Sequence, residues 1–134
     1  MTGDNDSDDV LAKAIDLMYS SSGGAEAASD GEELTKVRIQ AMIQEHPVML
    51  FMKGTKQFPQ CGFSDTATKI LERLGIDFEA FDVLSDNDIR EGIKQFSQWP
   101  TIPQLYINGE FIGGSDIMLD MFENGELKQL IDEL

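Results

Sequence analysis

The sequence predicts an α/β fold in which a four-stranded mixed sheet carries helices on both faces. The apolar run Val48–Met52 is typical of a strand that is buried on both faces. The segment after it has helical spacing and leads to a second strand at residues 78–83, so a right-handed crossover makes these two strands parallel. A hairpin with the turn Asn108-Gly109 follows, and its strands are antiparallel. Helices on both faces are the compact way to cover such a sheet.

Local signals predict each element, in the order α-β-α-β-α-β-β-α. Asp30 and Glu33 resemble a capping box that begins the first helix. His46-Pro47 ends this helix, because the residue before a proline avoids the helical conformation. Gly75 ends the helix after the cysteine loop, since glycine suits the residue just beyond a helix. The elements after it are a strand at 78–83, a short helix capped by Ser85 or Asp86, hairpin strands at 105–107 and 111–112, and a final helix from Gly113-Gly114-Ser115-Asp116 that is continuous or split.

Residues 1–33 are predicted to form an acidic, disordered N-terminal extension, and residues 34–134 to form the folded domain. The extension holds nine acidic residues and one basic residue, for a formal charge of -8. Apolar residues between positions 10 and 18 recur with roughly helical period, but they are too isolated to form a core. A helix that folds on binding a partner stays an alternative. The composition is the reverse of an Arg-rich organelle presequence, although it fits a chain from which one has been removed.

The composition excludes several classes of protein. With one cysteine and one histidine, the chain forms no internal disulfide and no zinc site of Cys and His ligands. A reducing intracellular compartment is therefore expected. No run of about 18 apolar residues exists, so we expect no membrane partner. The net charge of -15 also disfavours nucleic acid as a partner, because phosphate contacts need clustered Lys and Arg.

The single cysteine, Cys61, lies in a loop between the first strand and the helix that follows it. Free backbone N–H groups and the positive end of the helix dipole stabilise a thiolate at such a helix start. The alternative is that a lone cysteine is a small buried apolar residue. Prolines, glycines and lysines around Cys61 favour an exposed loop, and hence a reactive or ligating thiol.

Four separated pieces of the sequence together resemble the monothiol glutaredoxins of the Cys-Gly-Phe-Ser type, the single-domain, glutaredoxin 5-like kind. The pieces are Lys53-Gly54-Thr55, Cys61-Gly62-Phe63-Ser64, Trp99-Pro100-Thr101-Ile102-Pro103-Gln104 and Gly113-Gly114-Ser115-Asp116. They occur in this order and cover about residues 34–134. The resemblance implies a thioredoxin fold, glutathione bound beside the cysteine, and a [2Fe–2S] cluster shared between two protomers.

The resemblance also implies which residues form the site. Cys61 would be both the nucleophile and the iron ligand, and Pro103 would be the cis proline of the fold. The positions that match the family's cofactor-binding residues are Lys53, Phe63, Arg90, Lys94, Ile102, Pro103, Ser115 and Asp116. The ligand would be glutathione or a related low-molecular-weight thiol.

The charges of glutathione agree with these positions. Lys53, Lys56, Arg90 and Lys94 offer a positive patch for its two carboxylates, and Asp116 offers a partner for its ammonium. The alternative for Arg90 and Lys94, which are spaced i, i+4, is a solvated helix face. Trp99 has two interpretations as well, an interface aromatic or a packed one.

Three functions are compatible with this sequence. The leading hypothesis is a carrier that binds the cluster through Cys61 and glutathione, as a homodimer when loaded and a monomer when empty, and passes it to apo iron–sulfur proteins. The second is a glutathione-dependent thiol–disulfide oxidoreductase, at most a weak enzyme, because Ser64 stands where a dithiol enzyme has its resolving cysteine. The third is a regulatory module that docks a BolA-like partner. The mitochondrial matrix and the cytoplasm are the expected locations.

Overall fold

The computed structural model describes the backbone of residues 27–134 and the side chains of residues 31–134. The predicted helical segment between positions 10 and 18 lies outside the described residues. A single 3₁₀ turn, Val83–Ser85, follows the second strand. The elements are α1 (Ala27–Glu45), β1 (Val48–Met52), α2 (Gly62–Arg73), β2 (Glu79–Asp82), α3 (Asn87–Ser97), β3 (Gln104–Ile107), β4 (Glu110–Gly113), α4 (Ser115–Asn124) and α5 (Glu126–Asp132).

The four strands form one mixed sheet in the order β2-β1-β3-β4, which confirms the predicted architecture. β1 runs parallel to β2, with Leu50 opposite Ala80, and antiparallel to β3, with Phe51 opposite Gln104. β3 and β4 form the predicted hairpin, and Asn108 and Gly109 at its turn have φ angles of 55° and 84°. Positive φ at both central residues is the requirement of a type I′ turn.

Two apolar clusters, one on each face of the sheet, form the core. Because side chains alternate along a strand, β1 sends Leu50 to one cluster and Phe51 to the other. α2, α4 and α5 cover the first face with Leu71, Met118 and Leu127 among others. α1 and α3 cover the second face, so the predicted helices on both faces are confirmed.

The structure corrects the predicted start of one helix and decides between the two caps predicted for another. α1 begins at Ala27, so Asp30 lies inside the helix and the predicted capping box at Asp30 and Glu33 is wrong. Ala27-Ala28 extends the helix because alanine is the strongest helix former. For α3 the cap is Asp86, whose carboxylate accepts hydrogen bonds from the N–H groups of Asp88 and Ile89. The division of the chain at residue 33 stays a prediction, although α1 crosses it.

The final helix is split, at Gly125, which has a φ of 86° and separates α4 from α5. None of the described helices is long and apolar enough to cross a membrane.

Candidate functional site

The C-terminal ends of β1, β2 and β4 and the N-terminal end of β3 lie at one edge of the sheet. The pieces singled out in the sequence meet at this edge. Lys53 follows the last residue of β1, and Asp82 is the last residue of the parallel strand β2. β3 runs the other way, so Pro103, just before it, lies at the same edge. Gly114 follows β4, which runs antiparallel to β3. The topology therefore explains why Lys53 and Gly114, far apart in the chain, belong to one site.

Cys61 is the N-cap residue of α2, where it has an extended backbone with φ of -152°. The backbone N–H of Ser64 is the largest influence that holds the pKa of the Cys61 thiol below its ordinary value. Partial burial opposes it, while the N–H of Phe63, the charge of Lys53 and the Ser64 hydroxyl also lower the pKa. The predicted thiolate at a helix start is thus supported by the geometry, and the alternative of a buried, inert cysteine is not.

Ser64, by contrast, is fully buried. Its hydroxyl oxygen accepts a hydrogen bond of 3.0 Å from the backbone N–H of Lys53, and its carbonyl accepts one of 2.6 Å from the hydroxyl of Thr68. Ser64 therefore ties the first turn of α2 to the end of β1. This tie sets the position of Cys61 relative to Lys53.

The loop between β1 and Cys61 folds back on itself at Gly54. Gly54 has a φ of 94°, and its N–H donates to the carboxylate of Asp82 at 2.9 Å. The N–H of Gln60 donates to the carbonyl of Lys53 at 2.9 Å, so the two ends of the loop are joined. A side chain at position 54 has no room, because its Cβ would lie 2.5 Å from the carbonyl oxygen of Phe58.

Lys56 does not belong to the positive patch predicted for it. Its ammonium donates to the carbonyl of Phe78 and lies 4.3 Å from the centre of the Phe78 ring. Lys56 thus pins the loop to the start of β2, on a contact that no local sequence signal contains. Lys53 and Lys94 remain as the cations at the groove.

A groove of about 440 Å³ opens beside Cys61. Lys53 and Lys94 place positive charge along it, and Asp116, at the start of α4, places a negative charge. Its remaining walls are largely apolar. The lining residues are Lys53, Cys61, Phe63, Lys94, Trp99, Pro100, Thr101, Ile102, Pro103, Gly114, Ser115, Asp116 and Ile117.

The loop before β3 contributes backbone to this groove. The Ile102–Pro103 peptide bond is cis, which confirms the prediction for Pro103. The side chain of Ile102 is 5% exposed and packs in the core, so the groove meets its backbone. Within residues 27–134, neither the N–H nor the carbonyl of Ile102 pairs with another backbone group. A backbone segment whose N–H and carbonyl groups are free suits a peptide ligand that pairs as a strand does.

Eight of the nine predicted site residues line the groove, and Arg90 is the one that does not. It lies one turn before Lys94 on α3, and its Nε is buried without a hydrogen-bond partner in the described part of the chain. Its role in binding stays a prediction.

Sequence reasoning did not single out Ile117 and Gly114 as site residues, and it left Trp99 open. Trp99 packs, with its ring 5.9 Å from that of Phe111, and it also lines the groove, while an interface role stays a prediction. Gly114 adjoins Ser115, and a Cβ on it would lie 3.3 Å from the carbonyl oxygen of Pro103. The doubled glycine was the available signal for this close approach.

Comparison with known proteins agrees with this arrangement. The family model described as Glutaredoxin matches residues 48–112. The fold, with a thiol at a helix start beside a cis proline, is that of the glutaredoxins, which share the thioredoxin fold. An uncharacterized monothiol glutaredoxin of Synechocystis sp. is 57% identical over 98 residues, covering 73% of this chain and 92% of that protein. The mitochondrial monothiol glutaredoxin-5 of Saccharomyces cerevisiae is 52% identical over 104 residues, covering 74% of this chain and 69% of the relative. The chain belongs to the monothiol glutaredoxin family.

Solved structures give the same assignment. The solution structure of reduced apo GrxS14 from poplar matches with a TM-score of 0.66 and 47% identity, over 73% of this chain and 90% of that one. The crystal structure of a buckwheat glutaredoxin–glutathione complex matches with a TM-score of 0.70, over 78% of this chain and 93% of that one. At 21% identity the second likeness shows the fold alone.

Proposed function

We propose that this monothiol glutaredoxin binds glutathione in the Cys61 groove and, as a pair of protomers, carries a [2Fe–2S] cluster to apo iron–sulfur proteins. The observation that carries the proposal is the position of Cys61. It lies at the mouth of a groove whose charges are arranged for a small peptide with two carboxylates and one ammonium. The buckwheat glutaredoxin that shares the fold was solved as a complex with glutathione, which supports the choice of ligand.

The groove offers charges of both signs to such a ligand. The ammonium groups of Lys53 and Lys94 would pair with glutathione carboxylates, and the carboxylate of Asp116 with its amino group. The backbone of Ile102 would pair with the peptide backbone between these charges. The tripeptide thiol would then lie next to the Cys61 sulfur.

The cluster is the cargo in this proposal, and ligand counting supports a shared site. A [2Fe–2S] cluster takes four ligands, which are commonly thiolates. Within residues 27–134, no group of three or more His, Cys, Asp or Glu side chains is placed to hold a metal. Two protomers supply two Cys61 thiolates, and two bound glutathione molecules supply the others. The lowered pKa of Cys61 favours the thiolate that such a ligand requires.

Cys61 is also placed for transfer. It is partly exposed, and the neighbouring side chains of Phe58 and Phe63 are 74% and 63% exposed. Exposed aromatic side chains are typical of surfaces that dock proteins. A second protomer, an apo iron–sulfur protein or a BolA-like protein would each contact this face. The mitochondrial name of the yeast relative makes the mitochondrial matrix our first choice of compartment, ahead of the cytoplasm.

Anaerobic reconstitution with iron and sulfide, with and without glutathione, tests the proposal. Visible absorption and circular dichroism should show a cluster in wild type only when glutathione is present, and size-exclusion chromatography should show a dimer. Cys61→Ser, which keeps the shape of the side chain, should show no chromophore. A full chromophore in Cys61→Ser, or none in wild type with glutathione, would refute it.

A second function, deglutathionylation, is favoured by the partly exposed, low-pKa thiol itself. The Cys61 thiolate would attack the glutathione sulfur of a mixed disulfide, which releases the target protein's thiolate and forms a Cys61–glutathione disulfide. A glutathione thiolate then attacks that disulfide, which yields oxidised glutathione and restores Cys61 as thiolate. Ser64 offers no thiol for an internal alternative, so each turnover consumes two glutathione molecules, one of them from the target.

Turnover of a glutathionylated peptide separates the two functions. A carrier should react near the uncatalysed rate at saturating peptide while its cluster transfers to an apo-ferredoxin. Fast turnover together with failure of reconstitution would make the oxidoreductase the better assignment.

A further inference from the structure

Gln104, the first residue of β3, is a fully buried amide directly behind the loop at residues 98–103. Its Nε2 donates two hydrogen bonds of 3.1 Å, one to the carbonyl of Trp99 and one to that of Thr101. Its Oε1 accepts a longer one, of 3.4 Å, from the hydroxyl of Tyr106. Both amide hydrogens and the carbonyl are therefore satisfied inside the protein.

This amide is the main polar restraint on the loop. Two of the loop residues, Pro100 and Pro103, have no N–H to donate. In the described part of the chain, the N–H groups of Thr101 and Ile102 make no backbone hydrogen bond. The N–H of Trp99 donates to the carbonyl of Lys94 at 3.2 Å and to the hydroxyl of Ser97 at 3.1 Å, both at the start of the loop. Beyond Trp99, the bond from Gln104 to Thr101 is the hydrogen bond that the described residues make to the loop before β3 begins.

The direction of these bonds decides which backbone groups face the groove. The carbonyls of Trp99 and Thr101 turn inward to Gln104, while the intervening chain lines the groove. Ile102 keeps its side chain in the core and its N–H and carbonyl free of backbone partners. The β3 neighbours Leu105 and Ile107 are apolar, and an apolar residue at position 104 would match them. Burying an amide there is unfavourable unless each of its polar atoms is bonded.

We propose that Gln104 is a positioning residue for ligand binding: it never touches the ligand, but it sets the loop so that the Ile102 backbone is free to pair with a peptide. This inference rests on the proposed glutathione site. Gln104 is fully buried and does not line the groove, so its effect passes through Trp99 and Thr101. Without its two donors the loop has more conformations, and the ligand must select one of them, which weakens binding.

Gln104→Met tests the proposal, because methionine has nearly the same length and no hydrogen-bond donor. Two readouts matter. Trp99 is the single tryptophan of the chain, so acrylamide quenching of its fluorescence reports on the loop alone. Isothermal titration gives the affinity for glutathione. We expect stronger quenching and a rise of about tenfold in the glutathione Kd, the size that one lost hydrogen bond of typical strength implies.

Ile43→Ala is the matched control, since Ile43 lies on α1, outside the loop, and is buried in the apolar cluster of the same sheet face. It should lower the thermal midpoint without changing Trp99 quenching or the glutathione Kd. The pH midpoint of Cys61 alkylation should stay at the wild-type value in both variants. Equal weakening of glutathione by the two variants, or unchanged quenching in Gln104→Met, would overturn the proposal.

The outcome also separates this inference from the proposed function. If wild type binds no glutathione, the proposed function fails, and the quenching comparison still decides whether Gln104 positions the loop. If Gln104→Met does not fold, hydrogen exchange in wild type decides. The side-chain amide protons of Gln104 should exchange with solvent far more slowly than those of the exposed Gln95, and equal rates would overturn the proposal.

Discussion

Replacing Gly54 by alanine should damage both the stability and the binding site of this protein. Gly54 has a φ of 94°, in the region that side chains disfavour. The added Cβ would also lie 2.5 Å from the carbonyl oxygen of Phe58 and 2.6 Å from the backbone nitrogen of Gln60. Both atoms belong to the backbone, so the loop itself must move.

The expected loss combines two contributions. Holding an alanine in the left-handed backbone conformation lowers the free energy of unfolding by about 1–2 kcal/mol. The displaced backbone weakens the bond from Gln60 N–H to Lys53 and that from Gly54 N–H to Asp82, at about 0.5–1.5 kcal/mol each. The free energy of unfolding should therefore fall by about 2–5 kcal/mol, which for a domain of this size lowers the thermal midpoint by about 8–20 °C.

Gly109→Ala is the control, because Gly109 has a similar φ of 84° and no atom within 4 Å of the position of the Cβ. It should lose only the conformational contribution. Urea denaturation measures both losses, and titration with glutathione should show weaker binding for Gly54→Ala alone. Equal destabilisation of the two variants would refute the argument that close packing of the loop, beyond its φ angle, requires glycine at position 54.

Four further predictions concern three charged residues, Lys53, Asp86 and Lys94. Lys53→Met should shift the pH midpoint of Cys61 alkylation upward, because the ammonium contributes to the lowered pKa of this thiol; an unchanged midpoint would leave the backbone N–H groups and the Ser64 hydroxyl as its causes. Asp86→Ala should lower the free energy of unfolding by about 1–2 kcal/mol, and Asp86→Asn by less, because asparagine keeps the cap; equal losses would remove the cap as the cause. The bond to Arg38 holds the pKa of Asp86 below its ordinary value, so the stabilisation that Asp86 gives at neutral pH should disappear as the pH falls from about 4 through that lowered pKa, and acid titration of wild type against Asp86→Asn measures this. Lys94→Met should raise the glutathione Kd about tenfold without moving the thermal midpoint by more than a few degrees, since the ammonium of Lys94 loses, among the described residues, one salt bridge of 3.4 Å with Glu91.

The elements of this fold were predictable where one local signal dominates. The apolar run of β1 and the Asn108-Gly109 turn depend on neighbouring residues only, and both predictions are confirmed. The predicted start of α1 was wrong, because an aspartate such as Asp30 is compatible both with a helix cap and with a position inside the helix. The alanines before it favour helix most among the residues, but helix propensity is a weak signal in any one position, so the sequence alone did not decide.

The site was predictable as a set of residues and not as a set of contacts. Charge assigned Lys56 to the ligand, whereas its partner is Phe78, which β2 brings to the loop. Gln104 was visible only as part of a motif. Its function depends on two carbonyls that the loop turns back toward it, and no spacing rule contains that reversal.

The convergence of all four strand ends at one edge has a consequence for folding. Cys61 and its helix are neighbours in sequence, but Pro103 and Asp116 reach the groove only after β3 has paired with β1 across about 55 residues of chain. Such long-range pairing is among the slower steps of folding. The complete groove is thus a property of the native state alone, and partly folded forms with an exposed thiol lack it. A ligand that spans the groove at ten times its Kd would stabilise the native state by about 1.4 kcal/mol. Free glutathione at such a concentration would therefore shift the folding equilibrium of this chain toward the native state.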